Sequence, residues 1–109
     1  MSQHPVEIRC PEQSLAFREI IEKMYQLHLT KNEDYSSLNI LGTGEIGSVV
    51  RLWDKTCRIM NLSGFKIEGK LIEYKEPQNP KHESVEDTLL DLANYAIIAL
   101  ILRQGKWGK

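Results

Sequence analysis

Residues 84–105 have the sequence SVEDTLLDLANYAIIALILRQG, and the prediction of a mainly α fold starts from them. Beyond the first turn its side chains are almost all apolar, which predicts a helix from Ser84 to about Gln104 that is buried on nearly every side. Ser84 and Asp87 have the spacing of an N-terminal capping box, and Gly105 is a typical C-terminal cap. Two further helices of one chain would leave this helix partly uncovered. We therefore expect a homo-oligomer, a dimer or larger.

Two amphipathic helices are predicted before it. The first runs from Ser14 to about Thr30, and its apolar residues recur at helical spacing. They are Phe17, Ile20, Ile21, Met24 and Leu27. The second runs from about Gly44 to Leu62, with one stripe predicted to be buried. That stripe contains Ile46, Val50, Trp53, Cys57 and Met60.

The connecting segments complete a mainly α fold. Residues 31–44 mix polar and turn-forming residues and predict a loop. Within 64–82, FKIEG and KLIEYKE alternate apolar and polar residues, which predicts a short β-hairpin, and EPQNPKHE (76–83) predicts a surface loop. The expected architecture is a small bundle of three main helices, with the hairpin between helices two and three, completed by oligomerisation. Residues 1–13 are expected to be a loose N-terminal arm, and residues 14–109 one α-helical domain.

Composition excludes several classes of function. The chain has 109 residues, with 14 Lys and Arg against 15 Asp and Glu and a net charge of -1. Proteins that bind DNA, RNA or anionic membranes usually carry a basic surface, so none of these partners is expected. Cys10 and Cys57 are too few for a disulfide framework and lack metal-ligand spacing. No secretory signal or membrane-length apolar run is present, so we expect a cytoplasmic protein, in the host cell if a phage encodes it.

Acidic residues on the third helix suggest a site. Asp87, Asp91 and Asn94 share one narrow stripe of an otherwise apolar helix, and buried carboxylates are costly unless they are paired or bound to a cation. One interpretation is structural: Asp87 caps the helix and Asp91 forms one buried salt bridge. The other is a divalent-metal or nucleotide site, because carboxylates are the usual ligands of Mg²⁺.

The second helix carries the complementary charge. Arg51, Asp54, Lys55 and Arg58 form a polar wedge beside the apolar stripe. Such charges often form a solvated helix face. Here Leu52 and Ile59 make the far side apolar too, which favours a cleft between helices. Acids on one wall and Arg or Lys on the other would suit a metal-bound phosphate.

Three segments carry a resemblance to a known family. They are KNEDY (31–35), VVRLWDKTCRIMNL (49–62) and SVEDTLLDLANYAIIALILRQGKWGK (84–109). Together they resemble the phage and bacterial nucleotide modification associated domain family, type 1, which looks distantly similar to the all-α nucleoside triphosphate pyrophosphatases of the MazG and dimeric dUTPase group. The resemblance implies nucleotide binding with Mg²⁺. The positions it favours are Lys31, Asp34, Asp54, Lys55, Arg58, Glu86, Asp87, Asp91 and Asn94.

Two functions are predicted from these residues. The first is a Mg²⁺-dependent nucleoside triphosphate pyrophosphohydrolase. Its catalytic residues would be Asp54, Asp87 and Asp91, and its metal ligands Asp87, Asp91 and Glu86. Phosphate and nucleotide binding would use Lys31, Asp34, Tyr35, Arg51, Lys55, Arg58 and Asn94. The alternative is a protein that sequesters a nucleotide signal of host defence without turnover. The chain has fewer acids than the pyrophosphatases, which carry E-x-x-E on one helix and E-x-x-D on the next. A purely structural subunit ranks third.

Overall fold

The computed structural model describes residues 3–74, 76–77 and 84–109. Its contacts divide the chain into two compact units, Met1–Ser36 and Ser37–Lys109. The first unit contains α1 and α2, and the second contains α3, α4, a β-hairpin and α5. Among the described residues, no helix is long and apolar enough to cross a membrane.

The first unit is helical almost from its start. Helix α1 is Pro5–Arg9 and α2 is Pro11–Tyr35. The expectation of a loose arm over 1–13 was therefore wrong for α1 and for the first turn of α2. Capping explains the difference: His4 Nδ1 accepts the Val6 N–H at 3.1 Å, and Glu7 Oε1 accepts the His4 N–H at 2.8 Å. A helix of five residues is too short to show apolar periodicity, so its capping residues are the only signal in the sequence that predicts it.

The predicted loop over 31–44 is largely helical. Residues 31–35 form the last turn of α2, and Leu38–Leu41 form α3, with Ile40 buried. The loop prediction was wrong here because KNEDY lacks apolar periodicity but is compatible with an exposed helix. The helix ends at Tyr35, where Ser36 takes a positive φ of 59° and its N–H binds the Asn32 carbonyl at 2.8 Å.

Helices α4 and α5 form an antiparallel pair. Their bounds are Gly44–Ser63 and Val85–Arg103, which confirms both predictions. Arg103 Nη1 lies 2.8 Å from Glu45 Oε1, so the end of α5 meets the start of α4. The caps of α5 are also as predicted. Ser84 Oγ accepts the Asp87 N–H at 3.0 Å, and Gly105 takes a φ of 70° beyond the last turn.

The hairpin joins these two helices in the chain. Strands β1, Phe65–Glu68, and β2, Leu71–Tyr74, pair antiparallel with Phe65 opposite Tyr74. Gly69 has a φ of 59° in the two-residue turn, a conformation that glycine adopts without steric cost. The predicted hairpin is confirmed. Most of the surface loop predicted over 76–83 lies outside the described residues.

The C-terminal end folds back within the second unit. Trp107 is buried, and its Nε1 donates to the Ser37 carbonyl at 3.1 Å. Gly108 lies close to Leu41: a Cβ at Gly108 would be 3.1 Å from Leu41 Cδ1. The last residues of this unit therefore contact its first residues, Ser37 and α3.

The stripe predicted to be buried on α4 is only partly so. Met60 is buried, but Ile46 is 80% exposed, Val50 52% and Trp53 60%. The prediction was wrong for these three side chains because α4 turns a different side toward α5. The side that packs on α5 is the one that carries the basic residues.

Candidate functional site

Three basic side chains of α4 meet three different partners on α5. They are four and three residues apart along α4, and their partners are separated by the same steps in the opposite direction along α5. This matched spacing is what an antiparallel helix pair produces. The pairs are Arg51 with Tyr95, Lys55 with Asp91, and Arg58 with Thr88.

The middle pair is an ion pair. Lys55 Nζ lies 3.0 Å from Asp91 Oδ2, and the side chains are 22% and 10% exposed. The structural interpretation of Asp91 as a partner in a buried salt bridge describes this contact. The carboxylate holds the ammonium group at the helix interface and balances its charge there. Asp91 thus supports the position of a cation, whatever else it binds.

In the pair nearest the start of α5, one hydroxyl group forms two hydrogen bonds. Arg58 Nε donates to Thr88 Oγ1 at 3.0 Å, and Thr88 Oγ1 donates to the Ser84 carbonyl at 3.1 Å. Thr88 is fully buried. Because its hydroxyl both accepts from the guanidinium and donates to the backbone, the side chain of Arg58 is oriented by the first turn of α5.

The third pair leaves a donor without a partner. The guanidinium of Arg51 lies 5.8 Å from the centre of the Tyr95 ring, and its Nη2 donates to the Asn39 carbonyl at 3.4 Å. Nη1 is buried and has no hydrogen-bond partner among the described residues; the same holds for Ser48 Oγ, one turn earlier. An unpaired buried donor costs about 1–3 kcal/mol. A water or an acceptor atom of a ligand would remove that cost.

The three basic residues of α4 line a cleft of about 410 Å³. Its walls are formed by Arg51, Asp54, Lys55 and Arg58 of α4 and by Tyr95 of α5. Binding sites for small molecules are commonly about 300–1,000 Å³. With three cations, one carboxylate and one aromatic ring, the lining suits an anionic ligand that has a planar group.

The predicted acids are distributed unevenly around this cleft. Asp54 lines it, and Asp91 is bonded to Lys55 beside it. Glu86 and Asp87 are exposed in the first turn of α5. Within the described part of the chain, no three His, Cys, Asp or Glu side chains are grouped so that they could hold a metal ion. This donor set does not fit a resident metal, although one or two carboxylates suffice when the phosphates of a ligand bring Mg²⁺ with them.

Four further predicted site residues are not on α4 or among the lining residues of the second unit. Asn94 is half-buried on α5. Lys31, Asp34 and Tyr35 belong to the last turns of α2 in the first unit, and Tyr35 is 65% exposed. The four wedge residues of the second helix, in contrast, do come together as predicted.

Tyr95 lines the cleft but is not among the predicted site residues. A signal was present, because Tyr95 is four residues beyond Asp91 and seven beyond Thr88 and therefore shares their helix face. The run of apolar residues around it makes a tyrosine there resemble part of the core.

We compared the chain with protein-family models, with curated proteins and with solved structures, and none of the three comparisons gave a match.

Proposed function

We propose that the α4–α5 cleft binds a nucleotide or a nucleotide-derived small molecule through its phosphate groups. The observation that carries this proposal is the lining itself, where Arg51, Lys55 and Arg58 converge on one cavity with Asp54 as the only acid among the lining residues described. Arginine forks and lysine ammonium groups are the usual protein ligands of phosphate.

The pairs across the two helices support binding of this kind. Lys55 and Arg58 are held by Asp91 and Thr88, so little side-chain freedom is lost when a ligand arrives. Tyr95 offers an aromatic surface against which a nucleobase can stack, at about 1–3 kcal/mol per base. Asp54 can accept hydrogen bonds from amino or hydroxyl groups of a ligand, which adds specificity.

The small number of carboxylates at the cleft favours binding without turnover. A sequestering protein needs the cations and the ring, whereas hydrolysis of a nucleoside triphosphate also needs a carboxylate cluster that positions Mg²⁺ and water. Removing a nucleotide signal of host defence would be one use of such binding. We keep a Mg²⁺-dependent pyrophosphohydrolase as the second candidate because Asp54 lines the cleft and Asp91 is bonded to Lys55 beside it.

One assay separates the two candidates. The purified chain is incubated with a panel of nucleoside triphosphates, deoxynucleotides and cyclic nucleotides, with Mg²⁺ or Mn²⁺, and all bound and free species are identified by chromatography after the protein is denatured. Sequestration predicts that one ligand class is recovered intact at near-stoichiometric amounts. Turnover that the exposed lining carboxylate is needed for, so that Asp54→Asn abolishes it in a folded variant, would establish the enzyme instead. If the panel shows neither binding nor turnover, both candidates are wrong.

A matched pair of variants localises the binding. Arg51→Gln removes a lining cation that forms no ion pair in the described structure, and we expect it to weaken ligand binding at least tenfold. Lys70→Gln makes the same charge change at the exposed turn of the hairpin and should leave the affinity unchanged. Equal affinities of the two variants would place the ligand elsewhere.

A further inference from the structure

Asp54 is the only acid among the lining residues described, and it differs from the cations around it. The residue is exposed, and within the described part of the chain no hydrogen bond or ion pair involves its carboxylate. A carboxylate beside a phosphate group is unfavourable, because like charges repel. The Asp54 wall of the cleft therefore suits a neutral part of a ligand that donates hydrogen bonds.

Arg51 and Tyr95 form a group of three complementary side chains with Asp54. Arg51 and Asp54 are three residues apart and share one face of α4, with Cβ atoms about 5–6 Å apart. The Arg51 guanidinium lies 5.8 Å from the centre of the Tyr95 ring, and all three side chains line the cleft. An aromatic ring, a hydrogen-bond donor and a hydrogen-bond acceptor thus meet within about one turn of α4.

Arg51 is held more loosely than the other two cations of the lining. Its Nη2 contact with the Asn39 carbonyl is 3.4 Å long, and Nη1 has no acceptor among the described residues. Hydrogen bonds from nitrogen donors to oxygen are usually about 2.7–3.2 Å long. Lys55 and Arg58, in contrast, have partners on α5 at 3.0 Å. The Arg51 guanidinium can therefore turn toward acceptor atoms of a ligand at little cost.

We propose that the cleft selects guanine, an inference that rests on the proposed nucleotide site and names the base it takes. Guanine presents two adjacent donors, N1–H and the N2 amino group, which match the two oxygens of one carboxylate. Its O6 and N7 atoms are acceptors of the kind that arginine binds. Adenine and cytosine offer a carboxylate one amino group, and uracil offers one N–H. Asp54 binds the donor edge of guanine, Arg51 donates to O6, and Tyr95 stacks on the ring.

The remaining two cations are then available for the phosphates. Arg51 and Arg58 are seven residues apart, about 10.5 Å along the axis of α4. A base and the phosphate groups of one ligand can therefore occupy opposite ends of this row. Lys55 and Arg58 are held by α5 on the side of Arg51 that is nearer the start of α5. The base is expected beside Arg51, and the phosphates toward Arg58.

Calorimetric titration with nucleoside triphosphates tests the choice of base. The base varies while the sugar and the phosphates stay constant, and EDTA prevents Mg²⁺-dependent turnover. GTP should bind at least fivefold more tightly than ATP, the lower limit for one bidentate contact with a base. Inosine triphosphate, which lacks the N2 amino group, should fall between them. Equal affinities for GTP and ATP would overturn the inference and leave nucleotide binding intact.

Asp54→Asn gives a sharper readout, because an asparagine side chain offers one acceptor and one donor. Xanthine keeps N1–H but has a carbonyl group at C2, which can accept from that donor. The variant should therefore bind GTP at least fivefold more weakly than the unmodified chain, and xanthosine triphosphate more tightly. Asp87→Asn makes the same change at an exposed residue of α5 outside the lining and should keep the preference for GTP.

Two further results would refute selection of guanine. If Asp54→Asn weakens the binding of all four triphosphates equally, the carboxylate contacts the ribose, and if it weakens none of them, Asp54 does not contact the ligand. If none of the four triphosphates binds to the unmodified chain, the inference is also wrong. The wider panel of nucleotides described above then decides by itself whether the cleft binds a nucleotide.

Discussion

Lys55 Nζ and Asp91 Oδ2 lie 3.0 Å apart in the interface between α4 and α5. The contact links the proposed binding function to the packing of the second unit, because the same lysine lines the cleft. Asp91 is therefore the counter-ion of Lys55, and its loss should affect the fold as well as ligand binding.

Asp91→Asn should destabilise the chain by about 3 kcal/mol, since it removes the carboxylate charge that lies 3.0 Å from a largely buried ammonium group. Urea unfolding followed by circular dichroism measures the change. Asp87→Asn, on the same helix but exposed, should lie within about 0.5 kcal/mol of the unmodified chain. If both variants have the same stability, the ion pair contributes nothing to the fold.

Replacing both partners should separate stability from binding. A buried ion pair replaced by apolar residues of similar volume is often neutral or stabilising, so Lys55→Met combined with Asp91→Leu should recover most of the stability lost in Asp91→Asn. The same double variant lacks a cleft cation and should bind phosphate-bearing ligands at least tenfold more weakly. Recovery of both properties would show that Lys55 does not contact the ligand.

Thr88→Val should reduce stability by about 1–2 kcal/mol, because it removes the hydroxyl that accepts a hydrogen bond from Arg58 Nε and donates one to the Ser84 carbonyl. Ligand affinity should also fall severalfold, since Arg58 loses its fixed orientation. Thr56→Val is the matched control: its hydroxyl donates only to the Leu52 carbonyl of its own helix at 2.8 Å. Calorimetric titration of both variants measures the effect, and equal affinities would rule out the positioning role.

Tyr95→Leu should weaken binding of the nucleotide by about 5- to 150-fold while changing the affinity for pyrophosphate little. The reason is that base stacking contributes about 1–3 kcal/mol and an inorganic anion has no base to stack. Binding of both probes to the unmodified chain should also weaken as salt is raised, because ions screen the cleft cations. An equal loss for the two probes would mean that Tyr95 supports the cleft without contacting a base.

Trp107→Ala should cost about 3 kcal/mol or more, in the range for large aromatic residues removed from a core. Its ring is buried, and its indole hydrogen bond to the Ser37 carbonyl is lost as well. Tyr74→Ala, at a residue that is 86% exposed, serves as the control and should change the unfolding free energy little. Thermal unfolding of the two variants should therefore differ clearly in midpoint.

Much of the second unit follows from local signals in the sequence. The bounds of α4 and α5, the cap at Ser84, the turn at Gly69 and the C-terminal Gly105 depend on neighbours within a few residues, and the sequence shows those neighbours directly. The wedge of Arg51, Asp54, Lys55 and Arg58 was found for the same reason, because helical spacing alone brings these residues to one side.

The orientation of α4 depended on tertiary structure. Its sequence predicts one apolar and one charged side, and in isolation the apolar side is the better candidate for burial. Within the chain the charged side packs on α5, because Asp91, Thr88 and Tyr95 offer partners there that the spacing of α4 does not reveal. The sequence thus determined which residues of α4 act together. The packing against α5 determines that Asp91 pairs with Lys55, that Tyr95 belongs to the cleft and that Trp53 faces away from α5. These outcomes depend on contacts between residues some 30 to 45 positions apart in the chain, which helical spacing does not reveal.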